Sequence, residues 1–348
     1  MAPQCPAITD PNTTWPAMCP NLGAAYAYAV FFGVTTIAHV VQMFWTRKPY
    51  CWVIAVSAAL QTAAYILRIL SIKQVTNSGI YSIWFILMMV APVWTNAYAY
   101  MVMGRMVYNF TTTGSVYKIK AWHFGLIFVL LDVFAFFVQA VGASVASGNN
   151  DSVKQAMLGI HVYMGGIGFQ QLCIFLFLGL AARLHIHLRR QPPSPERKIA
   201  FRLLYVEYAV VSLITGRIIF RLIEYSSGIT SSVPRHEAYQ YVFDSTLMLM
   251  ALVLLNIFHP GMLMPGKDSN MPGWKARRSL KKQGQAPKGR AGDYKMLEKL
   301  RGASPAPSDV EDGLMEPEAH GMRAGRMVSD DAWLCNGLWA SIASAKGV

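Results

Sequence analysis

Residues 213–225 read LITGRIIFRLIEY. Two arginines and a glutamate interrupt a run that is otherwise apolar, and how they are accommodated decides the fold. Arg217, Arg221 and Glu224 are spaced i, i+4, i+7, so on a helix they share one face. In a soluble protein that face would be wet. The surrounding composition argues against water. Of 348 residues, 54% are hydrophobic and only 14% charged, against ~25% charged in soluble domains.

A hydrocarbon core ~30 Å thick needs about 20 apolar residues in a helix. Seven segments qualify, at 23–45, 50–72, 80–107, 121–146, 159–182, 200–224 and 240–262. The expected fold is all-α: a seven-transmembrane-helix bundle over 23–264, preceded by an extracellular segment 1–22. The opening residues lack a basic stretch followed by an apolar core, so no cleavable signal is expected. Trp45, Trp52, Trp84 and Trp122 fall near span ends, where indole rings favour the headgroup layer.

Orientation follows from lysine and arginine. Twenty-five lie on the side that includes the C-terminus, three on the other, and Arg68, Arg217 and Arg221 within spans. Without the tail the ratio is still 11 to 3. The N-terminus is expected outside and the C-terminus in the cytosol. The net charge of +13 therefore reads as a topology signal, and no nucleic-acid partner is expected. Asn12 opens an outer glycosylation sequon. Cys5 and Cys19 share the oxidising side and could form a disulfide. No cysteine or histidine spacing matches a structural metal site, and no cofactor is expected.

From residue 265 the character changes. KARRSLKKQGQAPKGR (275–290) is basic, and GASPAPSDVEDGLMEPEAH (302–320) is acidic and proline-rich. Neither can bury enough apolar area to offset ordering entropy, so 265–348 is expected to be a mostly disordered cytosolic tail. Its basic block suits anionic inner-leaflet lipids, or serves as a topology signal alone.

An arginine or aspartate at the bilayer centre costs roughly 2.5–3.5 kcal/mol even on insertion scales. The charges at 217, 221 and 224 must be paired, near an interface, or lining water. Other spans offer partners. Gln61, Tyr65 and Arg68 repeat the i, i+4, i+7 spacing on the second. Asn96 and Tyr100 share a face of the third. Asp132 and Gln139 lie seven apart on the fourth, and Asp244 enters early on the seventh, with His236 and Glu237 above it. The arginines at 68, 217 and 221 nearly balance the acids at 132, 224 and 244. One interior polar cluster is expected, weighted toward the outer leaflet, serving either as interhelical glue or as a pathway or ligand site. Gly165, Gly166 and Gly168 on the fifth span are expected to permit close helix approach. His39 and His259 read as capping or interface residues, with His259-Pro260-Gly261 ending the last helix.

These motifs carry a resemblance. APVWTNAYAYMVMGR (91–105), DVFAFFVQAVGA (132–143), RIIFRLIEYSSG (217–228), HEAYQYVFD (236–244) and the terminal HPG (259–261) occur in that order. The chain resembles the fungal RTA-like family of lipid-translocating exporters over about residues 23–262. One departure is clear: the family's Glu-x-x-Gly-Tyr-x-x-Arg reads QTAAYILR (61–68) here, with Gln61 for the acid and Ala64 for the glycine. The resemblance implies a seven-span plasma-membrane protein, not an enzyme, that moves or controls the movement of amphipathic lipids. Relatives are associated with sphingoid base release, tolerance of sterol-like toxins and porphyrin handling. Asp132, Glu224 and Asp244 would suit a lipid amine; Arg217 and Arg221 would suit an anionic group or keep those acids ionised. No G-x-x-x-x-G-K-[ST] loop is present, since GMLMPGK (261–267) runs into Asp268, so the chain carries no ATP motor of that type. The alternative is a receptor-like regulator of lipid or drug stress, whose basic loop RLHIHLRRQPPSPERK (183–198) meets cytosolic partners. A hydrolase using Asp132, His236 and Asp244 around a metal is the third class.

Overall fold

The computed structural model describes residues 12–15, 19–116, 119–147, 153–226 and 236–264, together with Met271 and Arg278. The Cys5–Cys19 pairing and the character of the tail lie outside the described residues; Asn12 lies within them and is exposed.

Among the described residues, seven helices are long and apolar enough to cross a membrane. They are α1 (Leu22–Thr46), α2 (Trp52–Lys73, entered through a 3₁₀ turn at Pro49–Cys51), α3 (Ser78–Phe110), α4 (Ala121–Ser147), α5 (Val153–Arg189), α6 (Pro195–Ser226) and a composite seventh span. The seventh comprises α7 (Glu237–Gln240), a π-helical segment (Tyr241–Ser245), α8 (Thr246–Ile257) and a last turn α9 (Pro260–Leu263). A two-residue hairpin, β1 (Ser115–Val116) with β2 (Ile119–Lys120), joins α3 to α4.

Asparagines start two of the helices. Asn21 Oδ1 accepts from Ala24 N at 3.0 Å and Asn77 Oδ1 from Ile80 N at 3.2 Å, satisfying amides that have no intrahelical partner. Expected boundaries hold within a few residues except on α5 and α6, which run past the apolar segment at both ends. A helix need not stop where the hydrocarbon does: Lys154, Arg183, His187 and Arg189 continue the backbone ladder into the polar layer. The last helix does break before the HPG motif. Pro260 opens one further turn, which His259 caps by accepting from Gly261 N at 3.2 Å.

The helices form a ring in sequence order, closed by α1 against the seventh span, with α3 meeting α6 across the middle. Odd-numbered spans leave the face that carries the N-terminus and even-numbered spans return to it. These are called the N-terminal and C-terminal faces. Outward positions are apolar: Val30, Phe31, Val34 and Ile37 on α1, and Leu126, Leu130, Phe134 and Phe137 on α4, are exposed. Lipid is the solvent such a belt requires. The apolar window of α6 is 56% buried, against 22% for α1. The charged stretch that opened the sequence reading thus sits on one of the most enclosed helices.

Two expectations change. Trp45 and Trp52 are exposed, but Trp84 is buried in the bundle, so it is no headgroup anchor. Of the three α5 glycines expected to pack, only Gly166 makes a close approach, to Gln139 and Ala135 of α4; a side chain at Gly165 or Gly168 would meet nothing within 4 Å. The tightest approaches are at Gly142 and Gly159, glycines on facing helices. A Cβ on Gly142 would lie 2.7 Å from Tyr163 Cα and 2.8 Å from the Gly159 carbonyl. Gly142→Ala is expected to destabilise by about 1–3 kcal/mol by overpacking, read as thermal unfolding of purified protein, while Gly168→Ala leaves the transition in place.

Candidate functional site: a buried polar core

Arg68 on α2 is 1% exposed. Its guanidinium reaches the seventh span in three places: Nη2 to Glu237 Oε1 at 2.6 Å, Nη1 to Gln240 Oε1 at 3.0 Å and Nε to Tyr241 Oη at 3.1 Å. Its flat face lies 4.6 Å from the Trp84 ring centre, 5.0 Å from Tyr241 and 5.4 Å from Trp15. Such cation–π contacts strengthen when desolvated. The segment before α1 closes over this arrangement. Trp15 stacks on Trp84 and donates from Nε1 to the Ser71 carbonyl at 3.2 Å. Thr14 gives both its amide and its hydroxyl to the Val75 carbonyl at 2.9 Å. Asn21 N donates to Glu237 Oε2 at 2.5 Å.

Deeper in, Asp244 bridges two arginines. Its Oδ1 pairs with Arg217 Nε, and its Oδ2 with Arg221 Nη2 at 2.5 Å. Arg221 Nη1 also binds Glu224 Oε2 at 2.9 Å. Arg217 Nη2 donates to the Met88 carbonyl of α3 at 3.2 Å. That carbonyl is available because the residue four positions on is Pro92, which has no amide proton to give it. Sequence therefore explains the contact: proline within a membrane helix frees one acceptor, and a buried arginine takes it. The π segment holds Asp244 in place. Thr246 Oγ1 donates to the Tyr241 carbonyl at 2.8 Å and Ser245 Oγ to the Gln240 carbonyl at 3.3 Å. Tyr65 Oη donates to Ser245 Oγ, and Tyr28 Oη lies 2.6 Å from Thr246 Oγ1. π turns of this kind recur at functional sites.

Toward the middle of α4, Asp132 is fully buried. Its Oδ2 accepts from Asn96 Nδ2 at 2.8 Å and Tyr100 Oη at 3.1 Å, while Oδ1 has no protein partner. Two turns along the same face, Gln139 Nε2 donates to Gln170 Oε1 of α5 at 3.2 Å. Gln139, Gln170, Tyr163, Arg217 and Arg221 surround a cavity of about 20 Å³, room for about one water molecule. This conformation is closed around its polar core.

The expected residues thus converge on the bundle interior, with three differences. Asp132 faces no arginine; neutral donors hold it, and Glu237 is the acid that balances Arg68. His236 is exposed beside Tyr239 at the N-terminal rim, outside the buried core. Gln61 is buried two turns deeper than Arg68. Asp132, His236 and Asp244 do not gather as a metal site would require; they belong to separate contacts. Among the described residues no three histidines, cysteines or acids could jointly hold a metal. The sequence reading missed Trp15, Gln170, Gln240, Tyr241 and Glu207. Glu207 could have been found, since RLLYVEYAVV (202–211) carries an acid inside an apolar run.

A seven-helix membrane protein with a neutralised ion-pair network enclosed by α2, α6 and the seventh span is the class these features define. The chain matches the family described as RTA1 like protein over residues 54–267, and it belongs to that family. It is 38% identical over 267 residues to a protein of Emericella nidulans named probable lipid transporter atnI, covering 72% of this chain and 69% of that one. It is 24% identical over 307 residues to the sphingoid long-chain base transporter RSB1 of Saccharomyces cerevisiae, covering 78% and 80%. It is also 24% identical to the lipid-translocating exporter-like protein RTA1 of Leptosphaeria maculans, covering 71% of this chain and 51% of that one. No solved structure matches the chain.

Proposed function

We propose that the protein exports or translocates amphipathic lipids with a cationic amine, sphingoid long-chain bases among them, across the plasma membrane, with its N-terminus outside. Family membership and the names of its relatives support lipid transport. The lysine and arginine distribution supports the orientation. The observation that carries the amine is Asp132. Glu224, Glu237 and Asp244 are already neutralised by arginines. Asp132 faces only neutral donors and keeps one oxygen without a protein partner. An ammonium brings three donors and a positive charge, which is what that carboxylate lacks. Admitting it requires the closed core to open. Two helix irregularities border the core, Pro92 on α3 and the π segment of the seventh span, and both interrupt the regular backbone ladder where bending costs least.

The test is leaflet exchange of a labelled sphingoid base by purified protein in liposomes. Wild-type protein is expected to exceed empty liposomes. Asp132→Asn keeps an acceptor for Asn96 and Tyr100 but loses the charge, and is expected to slow exchange by about tenfold or more, the equivalent of roughly 1.4 kcal/mol or more of lost ion pairing. Undiminished exchange by Asp132→Asn would remove the aspartate from the mechanism. No exchange by wild-type protein would remove the lipid reading.

A further inference from the structure

The two halves of the bundle treat buried ionisable groups differently. Toward the N-terminal face, Arg68, Arg217, Arg221, Glu224, Glu237 and Asp244 all have counter-ions. Asp132, midway, has neutral donors only, and toward the C-terminal face four buried titratable side chains among the described residues have polar atoms without a protein partner: Glu207 (Oε1 and Oε2), His39 (Nδ1 and Nε2), Tyr50 (Oη) and His259 (Nε2). Glu207 is the extreme case. It is 2% exposed, both oxygens are unpartnered, and it sits on α6 among the buried Leu203, Leu204, Val206, Val210 and Val211. It is ten residues from Arg217, about 15 Å along the helix, and it does not line the cavity there.

A carboxylate left buried with no cation and no donor is costly by several kcal/mol, and such a group takes up a proton instead. Packing at this point also limits what can bind. A lipid amine needs volume; a proton needs none. We propose that Glu207 is an internal proton-binding site, taking up and releasing a proton through the C-terminal face as the bundle changes state. This deepens the lipid-transport reading and rests on it for its place in transport: the proton would be the ion exchanged against the cationic lipid. When the Glu207 acid releases its proton it leaves a bare carboxylate. That charge is tolerable only if water or a cationic ligand enters, so discharge and opening are tied together.

A polar cluster lies nearer the C-terminal face. The Tyr98 hydroxyl of α3 is 3.8 Å from Cys51 Sγ. The Tyr98 ring stacks on Tyr50 with centres 6.1 Å apart, and the Arg105 guanidinium covers Tyr50 at 3.6 Å. Other titratable groups in this half include His39 on α1, the buried Lys48 that follows it, Tyr108 on α3, Tyr205 and Tyr208 on α6, His185 on α5, packed against Phe201 and Tyr205, and His259 on the seventh span.

Glu207→Gln mimics the protonated acid in size and polarity, so it should fold. Two measurements on the purified full chain test the site. Infrared spectra of wild-type protein should contain a protonated-carboxyl carbonyl band that Glu207→Gln lacks; if the substitution removes no such band, the proposal is overturned. In liposomes, a tenfold proton gradient should drive accumulation of a labelled N,N,N-trimethyl sphingoid base, whose charge is fixed, up to about tenfold at one-to-one coupling, and Glu207→Gln should exchange the base equally with and without the gradient. Wild-type transport indifferent to the gradient, or Glu207→Gln transport that still follows it, overturns the proposal while leaving lipid transport intact. If neither protein moves the base, the lipid reading falls and the infrared comparison alone decides whether the site exists.

Discussion

Asp244→Ala is expected to destabilise the bundle by about 3–5 kcal/mol, because removing one partner of a buried ion pair leaves an uncompensated charge. A typical fold is stable by only ~5–15 kcal/mol, so much of the protein should fail to accumulate in folded form. Asp244 carries more than an ordinary partner does, since it contacts both Arg217 and Arg221. Its loss leaves Arg221 with Glu224 and leaves Arg217 with only the Met88 carbonyl. This defines the rescue. Asp244→Ala combined with Arg217→Met removes the stranded cation and keeps the Arg221–Glu224 pair, so the double variant should be more stable than Asp244→Ala alone. Thermal unfolding of the four proteins of this cycle, purified in one detergent, gives the coupling directly. A single variant within about 1 kcal/mol of wild type, well under the buried-pair cost, or a double variant less stable than both singles, would show that the network does not hold α6 to the seventh span.

The same network shows what could be read from sequence. The spacing of Arg217, Arg221 and Glu224 placed three charges on one face, and the absence of polar neighbours on α6 turned that face inward. Seven apolar runs gave the seven helices. Periodicity could not say which acid meets which arginine, because that depends on helix rotation and on which elements are adjacent around the ring. Asp132 looked like a counter-ion by charge balance, yet α4 faces Asn96 and Tyr100 of α3. Glu237 looked like a loop residue, yet α7 begins there and presents it to Arg68. The π segment had no recognisable signature, since its wide turn arises from contacts of Ser245 and Thr246 with Tyr65 and Tyr28 on other helices. Glycines misled for a related reason. Gly165 and Gly168 look like packing residues in sequence, but the face turned to α4 carries Gly166, and the closest approach came from Gly142 and Gly159.

Arg68→Lys tests the seal over the N-terminal face, and it is expected to cost about 2–4 kcal/mol although it preserves charge. Arginine and lysine are not interchangeable where a planar fork is used. Here the fork serves Glu237, Gln240 and Tyr241 together, and its flat face covers Trp84 and Trp15. A lysine ammonium can follow Glu237 or keep ring contact, but it cannot span all three acceptors. Buried oxygens left without a donor cost roughly 1–3 kcal/mol each. The loss should be local before it is global. Trp15 is held by stacking on Trp84 and by one bond to the Ser71 carbonyl, so loosening Arg68 should release Thr14 and Trp15 first. Hydrogen exchange is the suitable probe: the Thr14 amide, bonded to Val75, should exchange faster in Arg68→Lys than in wild type, while amides in the middle of α6 keep their protection. Glu237→Gln should give a milder version of the same pattern, since an amide oxygen still accepts from the guanidinium. Equal protection of Thr14 in wild type and Arg68→Lys would mean that the N-terminal segment is anchored by its backbone bonds alone, and that the arginine under it serves the interior rather than the seal.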